Sequence, residues 1–368
     1  MKILYVTTIG MTMGFFKSFI KKLSDDGNEV ELACNCSLKD VLEFYINNGF
    51  KIHGIDCSRT PLNKGNLKAV KQLKKIVENE HFDIVHCHTP IAAACCRIAC
   101  RKARKNGTKV IYTAHGFHFY KGAPLTNWLI YYPIEKICSY FTDVLITINT
   151  EDYAFALRKL KAKDIKYVPG VGINKSRFSD AAVNKNEKRR LLGIPEEAFL
   201  ILSVGELNEN KNHETVIRAV AELADKKIHY AIAGGGGRGK YLQELAKELK
   251  VEDRIHLLGQ RTDIEEIYKS ADIYVLPSIR EGLNVSVMEA MASGLPVIAS
   301  DIRGNRDMVK PQGGFLVSPT NVSEFADAVT KLLNDGEMRR KMSVFNFQKS
   351  EEYAVEKINS LMLDIYKV

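Results

Sequence analysis

The chain has 368 residues, which exceeds one ordinary hydrophobic core and predicts two domains. Its 45% hydrophobic and 26% charged residues exclude a disordered or low-complexity chain. The formal charge is +9, and residues 1–174 carry the excess, with 25 Lys and Arg against 15 Asp and Glu. This imbalance favours nucleic acid, an anionic membrane surface or an anionic substrate as partner, although solvated helix faces would explain many of these charges equally well.

All eight cysteines lie in the first half, several of them in apolar runs. We therefore expect free, buried thiols in a reducing cytoplasm. The first apolar run is too short for a secretion signal, and no apolar stretch reaches the roughly 18 residues of a membrane-spanning helix. The sequence predicts a cytoplasmic protein that does not span a membrane.

Short β-branched runs alternate with helical patterns along the chain. In the first half the predicted strands are Ile3 to Thr7, Glu29 to Cys34, Lys51 to Ile55, Asp83 to Cys87, Lys109 to Ala114 and Asp143 to Ile148. In the second half they are Phe199 to Val204, Ile228 to Ala233, Arg254 to Leu258, Asp272 to Leu276 and Pro296 to Ser300. This alternation is typical of α/β domains with parallel sheets, which bind ligands at the carboxyl ends of their strands.

The alternation lapses near residue 175, which predicts the division into domains. We expect an N-terminal Rossmann-like domain over residues 1–174 and a C-terminal Rossmann-like domain over residues 175–345. Residues 346–368 show no strand pattern. They predict a closing helix that packs back on the N-terminal domain.

The most informative segment follows the predicted strand that ends at Leu276. It places Glu281 in a loop and Glu289 in a helix predicted to begin near Asn284. The free amides at a helix N-terminus suit a phosphate, and a carboxylate can accept hydrogen bonds from two sugar hydroxyls. Alternatively, Glu281 is a helix-start acid and Glu289 a surface residue, but the apolar neighbours of Glu289 argue against an ordinary exposed position.

The pattern Glu281-x7-Glu289, followed by Ala-Met-Ala-Ser-Gly-Leu-Pro-Val-Ile-Ala-Ser-Asp, resembles the retaining glycosyltransferase family 4. The similarity covers nearly the whole chain and includes members that build bacterial capsules and exopolysaccharides. It implies the GT-B fold, in which two Rossmann-like domains face each other across a cleft. It also implies that Glu281 contacts the donor sugar, that Glu289 binds the nucleotide ribose, and that the backbone of Gly282, Leu283, Asn284 and Val285 approaches the phosphates.

The segment from Ser203 to His213 resembles the first turn of the family's C-terminal domain. The resemblance implies that Gly205 belongs to the donor site and that Lys211 neutralises the donor pyrophosphate. Many members carry an arginine where this chain has Glu206. One of two expected cations is therefore missing, and Arg280 is a candidate to help Lys211.

Two further matches lie in the N-terminal half, each after a predicted strand. His115 matches a position that contacts the donor sugar or its pyrophosphate. Gly14 matches a position where the backbone approaches the donor before a helix. The resemblance makes His115, Glu281 and Lys211 the catalytic candidates, while a lone His or Gly is more often structural.

Two other patterns suggest different chemistry. His86 and His88 share one strand face and could join cysteines in a metal site, but the chain has no C-x2-C pair, so core packing is favoured. The glycine-rich stretch from Gly234 to Lys240 nearly matches a phosphate-binding loop, but Tyr241 stands where Mg²⁺ coordination needs Ser or Thr. With no Asp-x-Asp in the chain, we expect an enzyme without metal or cofactor.

The resemblance implies a retaining hexosyltransferase that moves a sugar from a nucleoside-diphosphate sugar, most commonly a UDP-sugar in similar proteins, to a glycan acceptor. The expected role is synthesis of bacterial cell-surface polysaccharide, with no nucleic acid as partner. The alternatives are a phosphate-loop nucleotide hydrolase and a basic, non-catalytic protein that binds nucleic acid or membrane.

We expect a lipid-linked acceptor and peripheral contact with the inner face of the membrane. The sequence basis is the positive excess of residues 1–174 together with an aromatic cluster around Lys121, formed by Phe117, Phe119, Tyr120, Trp128, Tyr131 and Tyr132. Aromatic and basic side chains together favour an anionic interface. Alternatively, Trp128, Tyr131 and Tyr132 form the inner stripe of a helix that begins near Leu125.

Overall fold

The computed structural model describes residues 1–36 and 42–367. The chain divides into two compact units, the first formed by Met1–Val171 with Asn359–Val368 and the second by Gly172–Ile358. The sequence pattern puts the first change of domain at 174/175 and the start of the returning segment at 346, whereas the compact units change at 171/172 and 358/359.

The first unit is built on a parallel seven-stranded sheet in the order β3-β2-β1-β4-β5-β6-β7. Its strands in the described residues are β1 (Lys2–Ile9), β2 (Glu29–Asn35), β3 (Lys51–Gly54), β4 (Ile84–His88), β5 (Lys109–Ala114), β6 (Val144–Thr147) and β7 (Asp164–Tyr167). Its helices are α1 (Gly10–Met13), α2 (Lys17–Asp25), α3 (Glu43–Asn47), α4 (Gly65–Glu80), α5 (Pro90–Ala99), α6 (Arg101–Lys105), α7 (Leu125–Ser139) and α8 (Thr150–Lys159), with a 3₁₀ turn at Gly14–Phe16.

The second unit is built on a parallel six-stranded sheet in the order β10-β9-β8-β11-β12-β13. Its strands are β8 (Phe199–Val204), β9 (Ile228–Ala233), β10 (Ile255–Gly259), β11 (Ile273–Leu276), β12 (Val297–Ser300) and β13 (Gly314–Val317). Its helices are α9 (Lys175–Ser179), α10 (Lys185–Leu191), α11 (His213–Glu222), α12 (Gly239–Glu248), α13 (Ile264–Ser270), α14 (Val285–Ala292), α15 (Asn305–Met308), α16 (Val322–Asn334) and α17 (Gly336–Lys349), with 3₁₀ turns at Glu252–Arg254 and Ser350–Tyr353. The last helix, α18 (Val355–Lys367), begins in the second unit and ends in the first.

The two sheets share one strand order, and the first sheet adds a strand at its edge. In each sheet the order reverses beside the first strand, between β1 and β4 in one unit and between β8 and β11 in the other. Such a reversal opens a crevice outside the carboxyl ends of the two strands, because the connections leave them in opposite directions. The loops that follow β1, β4, β8 and β11 are therefore the places to look for ligand-binding residues.

The prediction of an α/β protein with parallel sheets is confirmed, and each predicted strand corresponds to a strand of the structure. Two edge strands, β7 and β13, were missed. Central strands such as β8 and β11 are almost wholly buried, so they stand out as apolar runs. Strand β7 has the sequence Asp-Ile-Lys-Tyr and is partly exposed, which leaves no such run.

The end of α18 packs on the sheet of the first unit. The Tyr366 hydroxyl lies 2.6 Å from His86 Nδ1, and the Lys109 ammonium donates to the Ile365 carbonyl at 2.8 Å. His86 also lies 2.8 Å from the Thr113 hydroxyl, so both of its ring nitrogens have protein partners. These bonds give His86 a structural place in the core.

The cysteines and the apolar character of the helices were both subjects of sequence predictions. The eight cysteines are free thiols, and all except the partly exposed Cys36 are buried. Across the described ranges, no helix has both the length and the apolar character needed to cross a bilayer.

Candidate active site

Two loops of the second unit meet at the carboxyl ends of the adjacent strands β8 and β11. The Lys211 ammonium, in the loop after β8, lies 2.7 Å from the Glu281 carboxylate, in the loop after β11. Their side chains are 17% and 13% exposed, so the pair is shielded but still reached by solvent. The structure thus brings together two of the predicted catalytic residues at the strand reversal.

Backbone and amide contacts hold these two loops against each other. The Asn210 side chain donates to the Arg280 carbonyl at 2.9 Å, and the Ile279 amide donates to the Asn210 carbonyl at 2.8 Å. The Asn212 side chain donates to the Pro277 carbonyl at 3.2 Å. These bonds place Lys211 opposite Glu281, whereas the side chains of Arg280 and Glu206 are exposed.

The loop after β8 is backed by the glycine-rich segment that follows β9. A Cβ atom on Gly234 would lie 1.9 Å from the Gly205 carbonyl oxygen, so only glycine allows this approach. The Gly234 amide donates to the Gly259 carbonyl, and the Gly235 carbonyl accepts from the Leu207 amide. Some backbone groups of this segment are therefore already bonded to neighbouring loops.

The same segment does not have the arrangement of a nucleotide-hydrolase phosphate loop. Its lysine, Lys240, has an 87% exposed side chain and lies 3.7 Å from Glu244 on the surface of α12. A phosphate-loop lysine has to reach the phosphates held by the loop backbone. The structure therefore favours a packing role for Gly234 and Gly236, whose added Cβ atoms would overlap the backbone of Gly205 and Leu207.

Helix α14 begins beside the Lys211–Glu281 pair. Asn284 is its N-cap residue, and its side chain accepts a hydrogen bond from the Ser286 amide at 2.9 Å. Within the described part of the chain, no hydrogen bond occupies the amides of Gly282, Leu283, Asn284 or Val285. These amides and the positive end of the helix dipole can bind an anion.

Glu289 lies on α14 with its carboxylate accepting a 2.9 Å hydrogen bond from the Tyr268 hydroxyl. Burial raises the pKa of Glu289 to about 7, although the bond from Tyr268 opposes this shift. Arg177 and Glu265 also act electrostatically on Glu289, with opposite signs, and form an ion pair of 2.8 Å with each other. The Glu289 carboxylate is therefore largely buried and held in one orientation, and the sequence expectation of an unusual environment for it agrees with this geometry.

In the first unit, His115 follows β5 and contacts a second histidine. Its Nε2 lies 3.0 Å from Nδ1 of His88, the last residue of the adjacent strand β4. Burial lowers the pKa of His115 to about 4 and lowers the pKa of His88 well below its usual range. Both imidazoles are therefore neutral at pH 7, one donating and the other accepting.

His88 is enclosed by aromatic rings and followed by a strained residue. Its ring centroid lies 4.7 Å from that of Tyr5 and 4.2 Å from that of Phe16. The next residue, Thr89, has a φ of 63°, which is costly for a β-branched side chain, and its hydroxyl lies 2.7 Å from the Thr8 hydroxyl. The two threonines tie the carboxyl ends of β1 and β4 together where the strand order reverses.

The histidines of β4 pack in the core, as the sequence analysis favoured over a metal site. Over residues 1–36 and 42–367, no group of three or more His, Cys, Asp or Glu side chains is arranged to hold a metal ion. Gly14 occupies a helical conformation between α1 and α2, and its φ of −53° is open to any residue. Its conformation therefore does not require glycine.

The expectation of an exposed aromatic cluster around Lys121 is wrong. Phe117 and Phe119 are buried, and Trp128, Tyr131 and Tyr132 pack against the core of the first unit. Helix α7 begins at Leu125, and these three aromatic residues form its inner side. The alternative explanation of an inner helical stripe is therefore the correct one.

Three residues near these sites were not recognised from the sequence as site residues. Tyr268 and Arg177 come from α13 and α9, and nothing in the local sequence links them to Glu289. His88 was considered only as a metal ligand or a core residue. Its place at the end of β4, beside the strand that precedes His115, is a signal that could have paired the two.

Comparison with known proteins assigns the chain to a family. Residues 184–348 match the family described as glycosyl transferases group 1, and residues 2–149 match the family described as glycosyl transferase 4-like. The chain is 37% identical over 372 residues to a protein named glycosyltransferase EpsD from Bacillus subtilis (strain 168), covering 99% of this chain and 96% of that protein. It is 30% identical over 316 residues to the UDP-Gal:alpha-D-GlcNAc-diphosphoundecaprenol alpha-1,3-galactosyltransferase of Escherichia coli, covering 81% of this chain and 80% of that enzyme.

Solved structures with low sequence identity share the fold. The crystal structure of Anabaena Alr3699/HepE in complex with UDP has a TM-score of 0.81 at 18% identity and covers 100% of both chains. WaaG, a glycosyltransferase involved in lipopolysaccharide biosynthesis, has a TM-score of 0.75 at 17% identity and covers 99% of both chains. With its two parallel sheets and the match of both halves to glycosyltransferase domains, this chain is a glycosyltransferase of the group 1 and 4-like family with the GT-B fold.

Proposed function

We propose that the chain transfers a hexose from a UDP-sugar to a lipid-linked glycan acceptor with retention of configuration, in the synthesis of bacterial cell-surface polysaccharide. The observation that carries the proposal is the grouping in the second unit of a cation, free helix-terminal amides and two oriented carboxylates. Lys211 is paired with Glu281, the start of α14 follows directly, and Glu289 lies further along that helix.

The spacing along α14 suits a nucleoside diphosphate. From Val285 to Glu289 the helix rises about 6 Å, at about 1.5 Å per residue. A diphosphate at the amides of Gly282 to Val285 would lie near Lys211, with a ribose directed towards Glu289. The carboxylate can accept hydrogen bonds from both ribose hydroxyls, while Tyr268 holds its orientation.

The chemistry requires stabilisation of the negative charge on the departing diphosphate. Lys211 and the helix-terminal amides supply positive charge at the point where it develops. Glu281 holds Lys211 in place and offers acceptors for hydroxyls of the donor sugar. Neutral His115 can exchange hydrogen bonds with donor hydroxyls or phosphate oxygens, and no residue of the chain is assigned as a covalent nucleophile.

We also propose that transfer needs neither a metal ion nor a resident cofactor. The chain has no Asp-x-Asp sequence to hold a divalent cation against the diphosphate. In its place, Lys211 and the amides at the start of α14 provide the charge. Activity that persists in excess EDTA is the expected result, and activity restored only by added Mg²⁺ or Mn²⁺ would contradict this part of the proposal.

The choice of donor and acceptor is supported by the comparisons. Several similar structures contain UDP or UDP-glucose, and the Escherichia coli relative uses UDP-galactose and a diphosphoundecaprenol-linked acceptor. A lipid-linked acceptor resides in a membrane, so we propose that the enzyme works in the cytoplasm as a peripheral protein on the inner face of the plasma membrane. The positive excess of residues 1–174 supports this location.

The test is a product assay with a matrix of donors and acceptors. UDP-glucose, UDP-galactose, UDP-N-acetylglucosamine and GDP-mannose are each combined with a short-chain polyprenyl-diphosphate-linked sugar, and the products are analysed by mass spectrometry. The expected result is transfer from one UDP-sugar. NMR of the product should show the same anomeric configuration as that of the donor. Transfer from GDP-mannose alone, or inversion of the anomeric centre, would contradict the proposal.

Two further assays separate the alternative functions. Release of phosphate from ATP or GTP without sugar transfer would favour the nucleotide-hydrolase hypothesis. Tight binding of nucleic acid with a steep salt dependence, again without transfer, would favour the basic binding protein. The exposed position of Lys240 argues against the first outcome, and the family assignment argues against both.

A further inference from the structure

Helix α7 of the first unit has an apolar outer face that no described part of the chain covers. The large apolar side chains on this face are strongly exposed: Leu125 (73%), Leu129 (69%), Ile130 (36%), Ile137 (58%) and, at the C-cap, Tyr140 (56%). Helical periodicity places these residues on one side of the helix, and exposed Thr126 and Pro133 lie between them.

An ordinary surface helix does not have this composition. The inner side of α7 packs on the core through Trp128, Tyr131 and Tyr132, so a polar outer face would be expected. Here both sides are apolar, although one of them faces solvent. A contiguous exposed apolar surface of this kind marks an interaction site.

The charges around the outer face are positive. The only carboxylate between residues 119 and 142 belongs to Glu135, which is buried in a 2.5 Å ion pair with Arg97. Exposed Lys121 precedes the helix, and Lys136 lies in its last turn. Arg101 stacks at 4.4 Å on Phe141, directly after Tyr140. The face is therefore bordered by cations at both ends and carries no exposed acid.

This combination selects one type of partner. An apolar stripe bordered by Lys and Arg matches the boundary between headgroups and acyl chains of an anionic bilayer, with roughly 1 kcal/mol per cation near the surface. A second copy of the chain is a poorer partner. In a two-fold interface the same patch meets itself, which would bring Lys121, Lys136 and Arg101 of both copies together.

Helix α7 is also joined to the loop that carries His115. The Asn127 side chain donates to the His118 carbonyl at 3.0 Å, and the Trp128 indole donates to the Tyr120 carbonyl at 3.3 Å. The rings of His118 and Tyr131 stack at 4.5 Å. The start of the apolar face and His115 therefore belong to one connected structure at the carboxyl edge of the sheet.

We propose that the outer face of α7 lies in the surface of an anionic phospholipid bilayer and presents the His115 edge of the first unit to a lipid-linked acceptor. The docking follows from the apolar face and its cations. Its purpose, delivery of the acceptor, rests on the proposed function.

The test is co-sedimentation of the full chain with vesicles of phosphatidylcholine alone or mixed with phosphatidylglycerol, at low and high salt. Wild type should sediment with the mixed vesicles, and Leu129→Glu with Ile137→Glu should reduce the bound fraction at least tenfold, because two charges would have to enter the apolar layer. Leu191→Glu, a 76% exposed leucine of the second unit, is the matched control and should bind like wild type. Lys121→Glu with Lys136→Glu should make the remaining binding insensitive to salt.

Further readouts separate this proposal from the function it serves. The variants should keep wild-type far-UV circular dichroism, UDP affinity and transfer to a water-soluble acceptor, and should lose transfer only to acceptor embedded in vesicles. Wild-type vesicle binding by Leu129→Glu with Ile137→Glu would overturn the docking proposal even if transfer were normal. A concentration-dependent dimer that this double variant abolishes would assign the face to a second copy and would also overturn it. Intact docking without transfer to any acceptor would instead contradict the proposed function.

Discussion

The carboxyl edges of the two sheets share their strand order but differ in how they hold polar groups. In the second unit, Lys211 and Glu281 are charged partners 2.7 Å apart beside free helix amides. In the first unit, His88 and His115 lie 3.0 Å apart as neutral rings within an aromatic surround. Fixed positive charge suits a diphosphate, whereas the hydroxyl groups of sugars can bind carboxylates as well as neutral donors and acceptors. The same topology therefore supports two kinds of recognition.

The two edges also differ in the sign with which pH affects stability. Burial lowers the pKa of His115 from 6.5, its value in the unfolded chain, to about 4. The unfolded chain therefore takes up a proton first, and the folded state loses stability as the pH falls from 6.5 towards 4. Burial raises the pKa of Glu289 from 4.5 to about 7, so its contribution falls as pH rises through that window. The His115 edge therefore loses stability at low pH, and the Glu289 edge loses stability at high pH.

The largest expected effect is a loss of turnover when the cation of the charged edge is removed. Lys211→Ala should lower kcat by about 10²- to 10³-fold, because one preorganised charge-stabilising contact contributes roughly 3 to 4 kcal/mol in such sites. Steady-state kinetics with the best UDP-sugar measures it, and Lys240→Ala, an exposed lysine on α12, is the matched control. Near-normal turnover would transfer the role to Arg280 or another cation.

A second prediction tests whether backbone packing holds the charged edge in place. Gly234→Ala should lower the free energy of unfolding by about 2 to 3 kcal/mol, because its Cβ would overlap the Gly205 carbonyl and force the Lys211 loop to shift. Gly237→Ala is the control, since nothing lies within 4 Å of its added Cβ. Urea denaturation measures both variants, and equal stability would show that the loop yields easily.

A third prediction concerns nucleotide affinity at the charged edge. Glu289→Ala should weaken UDP binding about tenfold or more, because hydrogen bonds to a charged acceptor contribute roughly 1.5 to 3 kcal/mol. Since the pKa of Glu289 is about 7, wild-type affinity should rise between pH 6 and pH 8 as the carboxylate ionises. Isothermal titration calorimetry checks both effects, with Glu244→Ala as an exposed control. Unchanged affinity would remove Glu289 from the site.

A fourth prediction sharpens the role of the neutral edge. His88→Phe should reduce kcat about fivefold through the loss of one hydrogen bond worth about 1 kcal/mol that orients His115. Its other ring nitrogen has no partner in the described part of the chain, so phenylalanine should fit among Tyr5 and Phe16 without unfolding the unit. UDP affinity should stay unchanged. A matching loss of thermal stability would instead indicate a purely structural role.

The smallest expected effect is on stability and uses the opposite signs of the two edges. Glu289→Gln should raise the melting temperature at pH 8 by a few degrees and leave it unchanged at pH 4.5, because it removes a buried charge that exists only at high pH. Differential scanning calorimetry at both values measures the difference. An equal shift at both pH values would attribute the effect to packing and not to ionisation.

The sequence alone determined the fold class, most of the strands and the segment from Glu281 to Glu289. Buried parallel strands have to be apolar on both faces, so their pattern is visible without tertiary information. The helix near Asn284 was predictable because its cap and periodicity are local, and α14 begins at Val285. The edge strands β7 and β13 were not predicted. A short, partly exposed strand does not need an apolar run.

The tertiary structure decided the partners of each functional side chain. Three side-chain contacts join residues that are far apart in sequence: Lys211 with Glu281, Glu289 with Tyr268, and His88 with His115. They form because strands and helices from distant parts of the chain lie side by side. It also decided which side of α7 is buried. The sequence showed aromatic and aliphatic residues around the helix without distinguishing core from surface, since both sides are apolar and only packing against the core distinguishes them.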